Sequence, residues 1–572
     1  MSTAVDHKDE LDPTLRRQSV GQIEINGPDG RRRTVDLSEL NEADRALAEQ
    51  FGYKPPLTSE NQQVFRREFG YLSAFSFAVS ISGLFATVAT TFSYPLYAGG
   101  SASAVWCWLI SGAGCLCLAF SVAELVSAYP TSGGLYYTVS RLAPKEWVAS
   151  FSWLTGWLNL LGQVAGVASS EYGSAQMLLA AVAMNSGVDE EGVFSYSPST
   201  GAIIGVMAAL TVFGGLINSL STYWMEKVTK SYVIFHVCVL VSCCIALLAK
   251  TPDDLRHSAK YVFTNVTPDS GWSPVGFSFL FGFLSVSWTM TDYDATAHIA
   301  EEISEPEKKA PWAISMAMVF TYVAGWLYTI TLCFVMGNPE DILASTLYQP
   351  VAQLFYNSLG TGGGIFYTVC AFIILQFVCF TAMQALARTV FAFSRDRLLP
   401  FSNIWTKVNR FTGIPLYAVW ISVFWCIAIN LIGLGSYIAI AGVFNVCAIA
   451  LDWSYTIPIF CKLLFGNFQP GPWNMGKFST AVNLWACIWT VFVSVIFILP
   501  TARPVAADNM NYAIAFLGGI FLFAGAYWYI GAKKWYTGPI TEAEAVDGGS
   551  LRSSQEDAKK EESPAGESGN YA

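Results

Sequence analysis

Charged residues are scarce in this 572-residue chain, and about half of them lie at its two ends. Asp, Glu, Lys and Arg make up 13% of the sequence, against about 25% of an average soluble domain. Residues 1–69 and 533–572 hold 36 of the 74 charged residues. The apolar stretch between them excludes a series of soluble domains. It predicts a membrane domain over 70–532 with polar, largely disordered tails on either side.

Further absences narrow the function. The tails mix both signs of charge without a basic stripe, so no nucleic-acid partner is expected. The 13 cysteines lie in apolar runs without a CxxC pair, so neither a disulfide nor a metal site is expected. Because no nucleophile–base pair is evident, we expect no enzyme and no cofactor. No phosphate-binding motif is present, so any uphill transport would depend on ion gradients.

Twelve apolar stretches, each near the roughly 20 residues that cross a bilayer, predict an all-α polytopic membrane protein. The third and eighth are longer than one crossing requires. The approximate limits are 73–98, 103–129, 147–183, 201–220, 230–249, 275–299, 312–337, 364–393, 415–434, 436–461, 479–500 and 511–532.

The positive residues predict the orientation of these spans. Only four of the 32 Lys and Arg lie on one side, at Lys250, Arg256, Lys260 and Arg503. Because positively charged loops remain in the cytoplasm, both termini are predicted to be cytoplasmic. The loop 250–274 then faces outward, and it carries a glycosylation sequon at Asn265.

Polar residues within two spans predict that both helices are interrupted. The first span contains Ser80-Ile81-Ser82-Gly83, and the sixth contains Trp288 and Asp292-Tyr293-Asp294. If the core consists of two inverted five-helix repeats, these spans correspond, and matched interruptions indicate a transporter site. The N–H groups of a half-helix can hold a carboxylate, while acids and unwound carbonyls can hold an amine.

Other ionisable residues at membrane depth are candidates for ion coupling or gating, because their burial is costly. Glu124 and Asp452 lie near span ends, where they could instead reach the interface. His236 lies among apolar residues and could serve packing alone, Glu171 could face a water-filled vestibule, and His298 stands apart from other histidines.

Acidic and basic residues also follow the sixth and eighth spans. Glu301 and Glu302 come after the sixth, and Arg395 and Asp396 come after the eighth. We expect Glu302 and Arg395 to pair in a charged inner gate; the alternative is that these are solvated charges at helix ends.

Three motifs resemble a known superfamily. Residues 124–136, ELVSAYPTSGGLY, are similar to the loop after the second helix in the amino acid–polyamine–organocation superfamily. Residues 292–302, DYDATAHIAEE, resemble the sixth-helix signature of its amino acid/choline transporter branch, and residues 388–396, RTVFAFSRD, the end of its eighth helix. The resemblance covers nearly the whole membrane domain and is closest to fungal GABA permeases.

The resemblance implies the fold of the bacterial leucine transporter, a 5+5 inverted repeat plus two helices. It implies uptake of GABA or a related amino acid with protons as the coupled ion; the sequence itself leaves sodium open as the alternative. The carboxylate would meet the backbone of residues 80–83, and the amine would meet Trp288, Asp292 and Tyr293. Glycine is common in the branch at the position of Asp292, so the acid favours a ligand with a cationic end. Asp294 is expected to cap the half-helix that follows it.

Three alternatives stay open. A choline permease is compatible with the aromatic residues Trp288 and Tyr293, and a polyamine permease with the two acids at 292 and 294. A nutrient sensor that transports little could keep the same fold. The plasma membrane is the expected location, although a vacuolar membrane would need the same topology.

The polar N-terminal tail is predicted to be dispensable for transport. Deletion of residues 1–50 should leave the KM for substrate unchanged in cells with equal surface expression, because the tail has too little apolar surface to pack on the transporter. A tenfold rise in KM would show instead that part of the tail contributes to the cytoplasmic gate.

Overall fold

The computed structural model describes residues 22–26, 32–36, 69–189, 193–220, 222–409, 412–435, 437–466, 468–506 and 509–539. In the N-terminal tail, strands Gln22–Asn26 and Arg32–Asp36 pair in antiparallel register; the sequence did not predict this hairpin. Residues 533–539, which we predicted as part of the disordered C-terminal tail, are described, and Tyr536 among them is buried. Apart from these and Phe69, the remaining residues of both tails lie outside the described ranges.

Helices follow the twelve predicted spans in order, and we number them accordingly. Span 1 consists of Tyr71–Ser82 and Leu84–Thr91, and span 6 of Val275–Leu280, Phe283–Thr289 and Ala295–His298. The other spans are Ser93–Ala128, Lys145–Asn185, Thr200–Asn218, Thr222–Lys250, Pro306–Val335, Pro350–Arg395, Leu416–Asn430, Tyr437–Phe465, Ser479–Ile498 and Ala513–Ile530.

The lengths and apolar character of these helices confirm an all-α polytopic membrane fold. Among the described residues, ten helices are long and apolar enough to cross a bilayer. The other two spans are the polar-lined span 3 and the interrupted span 6, whose apolar part Val275–Thr289 is shorter. Spans 3 and 8 contain 41 and 46 residues, in agreement with the predicted excess over one crossing.

The two interrupted spans pack half against half. Leu84–Thr91 packs on Phe283–Thr289, where Thr91 Oγ1 and Ser285 Oγ are 2.8 Å apart. Tyr71–Ser82 packs on Ala295–His298. Because the part of each span before its interruption packs on the part of the other span after its interruption, the two interruptions lie at the same level of the bundle.

The ends of these spans are also joined. The N–H of Phe69 donates to the carbonyl of Glu302, and the N–H of Ser304 donates to the carbonyl of Phe69, both at 3.1 Å. This short parallel bridge connects the start of span 1 to the end of span 6. In the predicted topology it lies on the cytoplasmic side.

The segment after span 12 folds back onto the same side. Tyr536 Oη donates to Tyr136 Oη at 2.8 Å, and Tyr136 lies on the short helix Gly134–Leu142 that follows span 2. Burial raises the pKa of both hydroxyl groups well above the usual value, so both remain protonated. The Tyr136 ring lies 4.6 Å from that of Phe393 in span 8. Residues from three parts of the chain thereby close this face.

Gly83 is required by the geometry of the span 1 interruption. Its φ of +49° is left-handed, and a Cβ here would overlap the Val378 side chain of span 8. We expect Gly83→Ala to lower the melting temperature of the purified protein, since the left-handed backbone alone costs about 1–2 kcal/mol.

The matched control is Gly205→Ala in span 4, where a Cβ would meet open space. Alanine favours an ordinary helix by about 1 kcal/mol over glycine, so this variant should melt at or above the wild-type temperature. Equal melting temperatures for the two alanine variants would contradict the role given to Gly83.

Candidate functional site

The span 6 interruption brings two acids into the interior. The helix ends at Thr289 and resumes at Ala295, and Asp292 between them has a left-handed φ of +59°. Asp tolerates that conformation better than most residues, and threonine is a weak helix former, so the local sequence favours unwinding. Asp292 and Asp294 are 7% and 0% exposed.

Hydrogen-bond donors surround Asp294. Tyr455 Oη of span 10 donates to its Oδ1 at 2.5 Å, and Asn159 Nδ2 of span 3 donates to its Oδ2 at 2.8 Å. His298 Nε2 lies 3.2 Å from the same Oδ2. The carboxylate makes no capping bond to the helix that follows it. The expected capping role is therefore wrong: the carboxylate contacts side chains of spans 3, 6 and 10 rather than the backbone N–H groups of that helix.

Asp292 has a different environment. Its Oδ1 is buried without a hydrogen-bond partner among the described residues, as are Tyr293 Oη and Asp452 Oδ2. Asp452 of span 10 does not reach the interface but is buried within electrostatic range of Tyr293. Unpartnered buried polar atoms are costly, so this cluster indicates a place where donors from a ligand or water would bind.

Spans 8 and 1 meet at the first interruption. Ser80 Oγ donates to the carbonyl of Phe377, and Thr381 Oγ1 donates to Ser80 Oγ, both at 3.3 Å. Ile81 and Ser82 are buried beside them. These contacts fix the end of the first half-helix against span 8.

His236 of span 5 holds the second half-helix of span 1. Its Nε2 accepts the N–H of Phe85 at 3.1 Å, and its Nδ1 lies 3.2 Å from Tyr232 Oη. Because Nε2 accepts a backbone N–H, it carries no proton here, and the ring satisfies one of the free donors at the helix start. His236 is therefore a positioning residue in this structure; its role in coupling stays a prediction.

Trp288 lies in the helix just before the span 6 interruption, and its indole N–H already has a hydrogen-bond partner. Its Nε1 donates to Ser169 Oγ of span 3 at 3.1 Å, and its ring lies 4.8 Å from that of Phe444 in span 10. Tyr293 packs on Tyr455 at 5.1 Å between ring centres. The aromatic residues thus form walls around the unwound segment.

Comparison with known proteins gives the family of this site. A family model described as amino acid permease matches residues 69–521. The chain belongs to the amino acid permease family. As a member of that family, within the amino acid–polyamine–organocation superfamily, it is a membrane transporter rather than an enzyme.

Relatives of this permease occur in fungi and plants. An uncharacterised amino-acid permease of Schizosaccharomyces pombe is 57% identical, over 88% of this chain and 91% of its own length. Amino-acid permease 2 of Neurospora crassa is 47% identical over 91% and 93% of the two chains. Amino-acid permease BAT1 of Arabidopsis thaliana is 32% identical over 84% and 94%.

Two further candidate residues of the permease are bonded to neighbouring spans. Glu124 Oε2 accepts from Lys462 Nζ at 2.6 Å and from Ser479 Oγ at 2.8 Å, which joins spans 2, 10 and 11. Glu171 Oε2 accepts from Gln376 Nε2 at 3.1 Å, which joins spans 3 and 8. The coupling or gating roles of both acids stay predictions.

Glu302 forms a buried ion pair with Arg388 rather than with Arg395. Arg388 Nε lies 2.8 Å from Glu302 Oε1, and Gln384 Nε2 donates to Oε2 at 3.2 Å. Arg395 is exposed at the end of span 8 and makes no ion pair with Glu302. The expected partner was wrong because Arg388, two turns earlier, is the residue that faces the end of span 6.

Three polar residues of the site were not singled out from the sequence. Asn159, Gln163 and Tyr455 bind Asp294 directly or through one another, with Gln163 Nε2 donating to Asn159 Oδ1 at 2.9 Å. The spacing of Asn159 and Gln163, one helical turn apart in span 3, was the available signal, because such residues share a helix face.

The Glu302–Arg388 pair is expected to be energetically coupled. Glu302→Gln or Arg388→Gln alone leaves an unpaired buried charge, which costs about 3–5 kcal/mol. The double variant should therefore lose less stability than the two single variants together, measured by thermal unfolding in detergent. Glu302→Gln combined with Arg395→Gln is the control, for which additive losses are expected. Additivity at Arg388 would contradict the pairing.

Proposed function

We propose that this permease is a secondary active transporter that imports GABA or a related ω-amino acid together with protons. The observation that carries the proposal is the buried carboxylate of Asp292, whose Oδ1 lacks a partner at the span 6 interruption. The names of the relatives, amino-acid permeases, support the amino acid class.

The ammonium group of the substrate would bind Asp292. Burial of an isolated carboxylate costs several kcal/mol of desolvation free energy when no partner compensates it. An ammonium group could compensate it, because it has three hydrogen-bond donors. Tyr293 and Trp288 line the adjacent space, and their rings add attraction for a cation.

The substrate carboxylate would bind at residues 80–83 of span 1. The half-helix Leu84–Thr91 begins at this interruption, and the start of a helix carries partial positive charge. The two charged ends of the substrate would thus be recognised on different spans. This separation suits an ω-amino acid, in which the amine and the carboxylate are far apart.

In this proposal the permease lies in the plasma membrane, imports its substrate and has both termini in the cytoplasm; the Lys and Arg distribution supports that orientation of the chain. The sequence has no phosphate-binding motif, which supports coupling to an ion gradient. Protons are the coupled ion in this proposal.

A polyamine permease is the second candidate. Asp452 Oδ2 is a second buried acceptor without a partner in the described part of the chain, and two separate carboxylates suit a ligand with two cationic ends. Choline, with one permanent positive charge and no N–H donors, satisfies neither acid by hydrogen bonding.

Radiolabelled uptake tests this function directly. Cells that express the permease should take up GABA saturably, faster at acidic external pH, and an uncoupler should abolish accumulation. Putrescine, choline and neutral amino acids complete the panel. Preferential putrescine uptake would favour the second candidate, and surface expression without uptake of any compound would favour a sensor.

Removal of the Asp292 charge should weaken substrate binding selectively. Asp292→Asn should raise the KM for GABA about tenfold or more, because a hydrogen bond to a charged group contributes about 1.5–3 kcal/mol. Asp452→Asn is the control: it should change the KM for GABA less than twofold but weaken putrescine binding. An unchanged KM in Asp292→Asn would contradict the assignment of the ammonium site.

A further inference from the structure

His298 connects the Asp294 network with the loop that follows span 2. Its Nδ1 lies 3.0 Å from the carbonyl oxygen of Ser132, and its Nε2 lies 3.2 Å from Asp294 Oδ2. Both side chains are almost fully buried. A carbonyl oxygen can only accept a hydrogen bond, so Nδ1 carries a hydrogen.

This hydrogen fixes the proton count of the pair. With Nδ1 protonated, a neutral imidazole presents a lone pair at Nε2, and a carboxylate also presents only lone pairs. Two acceptors at this distance repel each other unless one proton lies between them. Asp294 is then a carboxylic acid that donates to Nε2, or His298 is an imidazolium that donates to the carboxylate.

We propose that the Asp294–His298 pair binds the proton that crosses the membrane with the substrate, an inference that rests on the proposed proton-coupled function. The proton shared by Oδ2 and Nε2 is taken up from the outer side and released to the cytoplasm. After release, the remaining donors to Asp294, from Asn159 and Tyr455, stabilise its carboxylate. The acid thus has partners in both protonation states.

Proton release would also weaken the contact between span 6 and the loop after span 2 on the cytoplasmic side. Without the proton, Asp294 and Nε2 of His298 repel, and the ring must move. The loop after span 2 packs closely on this ring, because a Cβ at Gly134 would lie 2.9 Å from it. Movement of the ring towards Gly134 would therefore push the loop away from the inner half of span 6, and in this proposal that movement links proton release to opening of the inner side.

Three other buried ionisable groups of the described structure suit this role less well. Glu124 is neutralised by Lys462 and Glu302 by Arg388, so a proton would have to displace a cation. His236 uses Nε2 to accept the Phe85 N–H, and its protonation would break that bond.

Among the described residues, no further cation pairs with Asp294 or His298. Three neighbouring cations have partners elsewhere: Arg388 binds Glu302, Lys309 binds Glu305, and Arg141 lies over the Tyr137 ring. The titratable and charged groups on the elements packed around Asp294 and His298 are Tyr71, Cys115, Tyr136, Tyr137, Arg141, Asp292, Tyr293, Glu302, Lys309, Arg388, Cys447, Asp452 and Tyr455.

Proteoliposomes separate proton coupling from substrate translocation. Wild-type protein should accumulate GABA along an inward proton gradient and acidify the lumen, as reported by a trapped pH dye. His298→Gln should retain GABA/GABA exchange within about threefold at equal pH on both sides. Gradient-driven accumulation of GABA by His298→Gln should be at least tenfold lower than that of the wild type. Its exchange rate should no longer depend on pH. Asp294→Asn, which also removes the shared proton, should behave in the same way.

The matched control is His257→Gln, a histidine in the loop before span 6 that bonds the Gly337 carbonyl; it should keep wild-type coupling. Proton-driven accumulation with wild-type pH dependence in His298→Gln would overturn the inference and leave the proposed function intact. Absence of both exchange and accumulation in wild-type liposomes would contradict the proposed function itself. If neither variant folds, GABA transport by wild-type protein without lumen acidification would overturn the proton site.

Discussion

A peptide chain that leaves the helix inside a membrane loses hydrogen bonds that lipid cannot replace. Both interruptions in this permease face that constraint. A neighbouring span bonds a backbone N–H at span 1, while at span 6 the neighbouring spans bond a side chain of the unwound segment. At span 1, His236 accepts the N–H of Phe85, while Gly83 supplies the left-handed turn. At span 6, Asp294 collects donors from spans 3 and 10. The positions of spans 3, 5, 8 and 10 around the core follow from these contacts.

Acidic residues near the ends of the spans and acidic residues at the interruptions have different partners. Near the ends of the spans, Glu302 and Glu124 are each matched by a basic residue within 2.8 Å, so their charges are neutralised and the pairs act as clamps. At the interruptions, the acids meet neutral donors or no donor at all. A site that must bind and release a cation in each cycle requires such incomplete compensation, because a permanent counter-charge would compete with the cargo.

The fold and the two interruptions could be predicted from the sequence because their signals are local. Apolar runs of sufficient length define spans, and Ser80–Gly83 and Asp292–Asp294 stand out within them. The partners could not be predicted in the same way. Asn159 and Tyr455 lie 135 and 161 residues from Asp294 along the chain, and only the folded bundle brings them together. The choice of Arg388 over Arg395 depends on helix rotation and depth, which sequence adjacency does not reveal.

The hydrogen bond between Tyr136 and Tyr536 has a consequence for biosynthesis. The two residues are 400 positions apart, so at roughly 5–20 residues per second the ribosome needs about 20–80 s to deliver the second after the first. Throughout that interval the short helix after span 2 lacks its final neighbour. A chain that stops between residue 531 and residue 536 would contain every span yet leave this face open. Synthesis as far as Tyr536 thus closes this face, and a cell could distinguish chains that reach Tyr536 from chains that stop before it at that one surface.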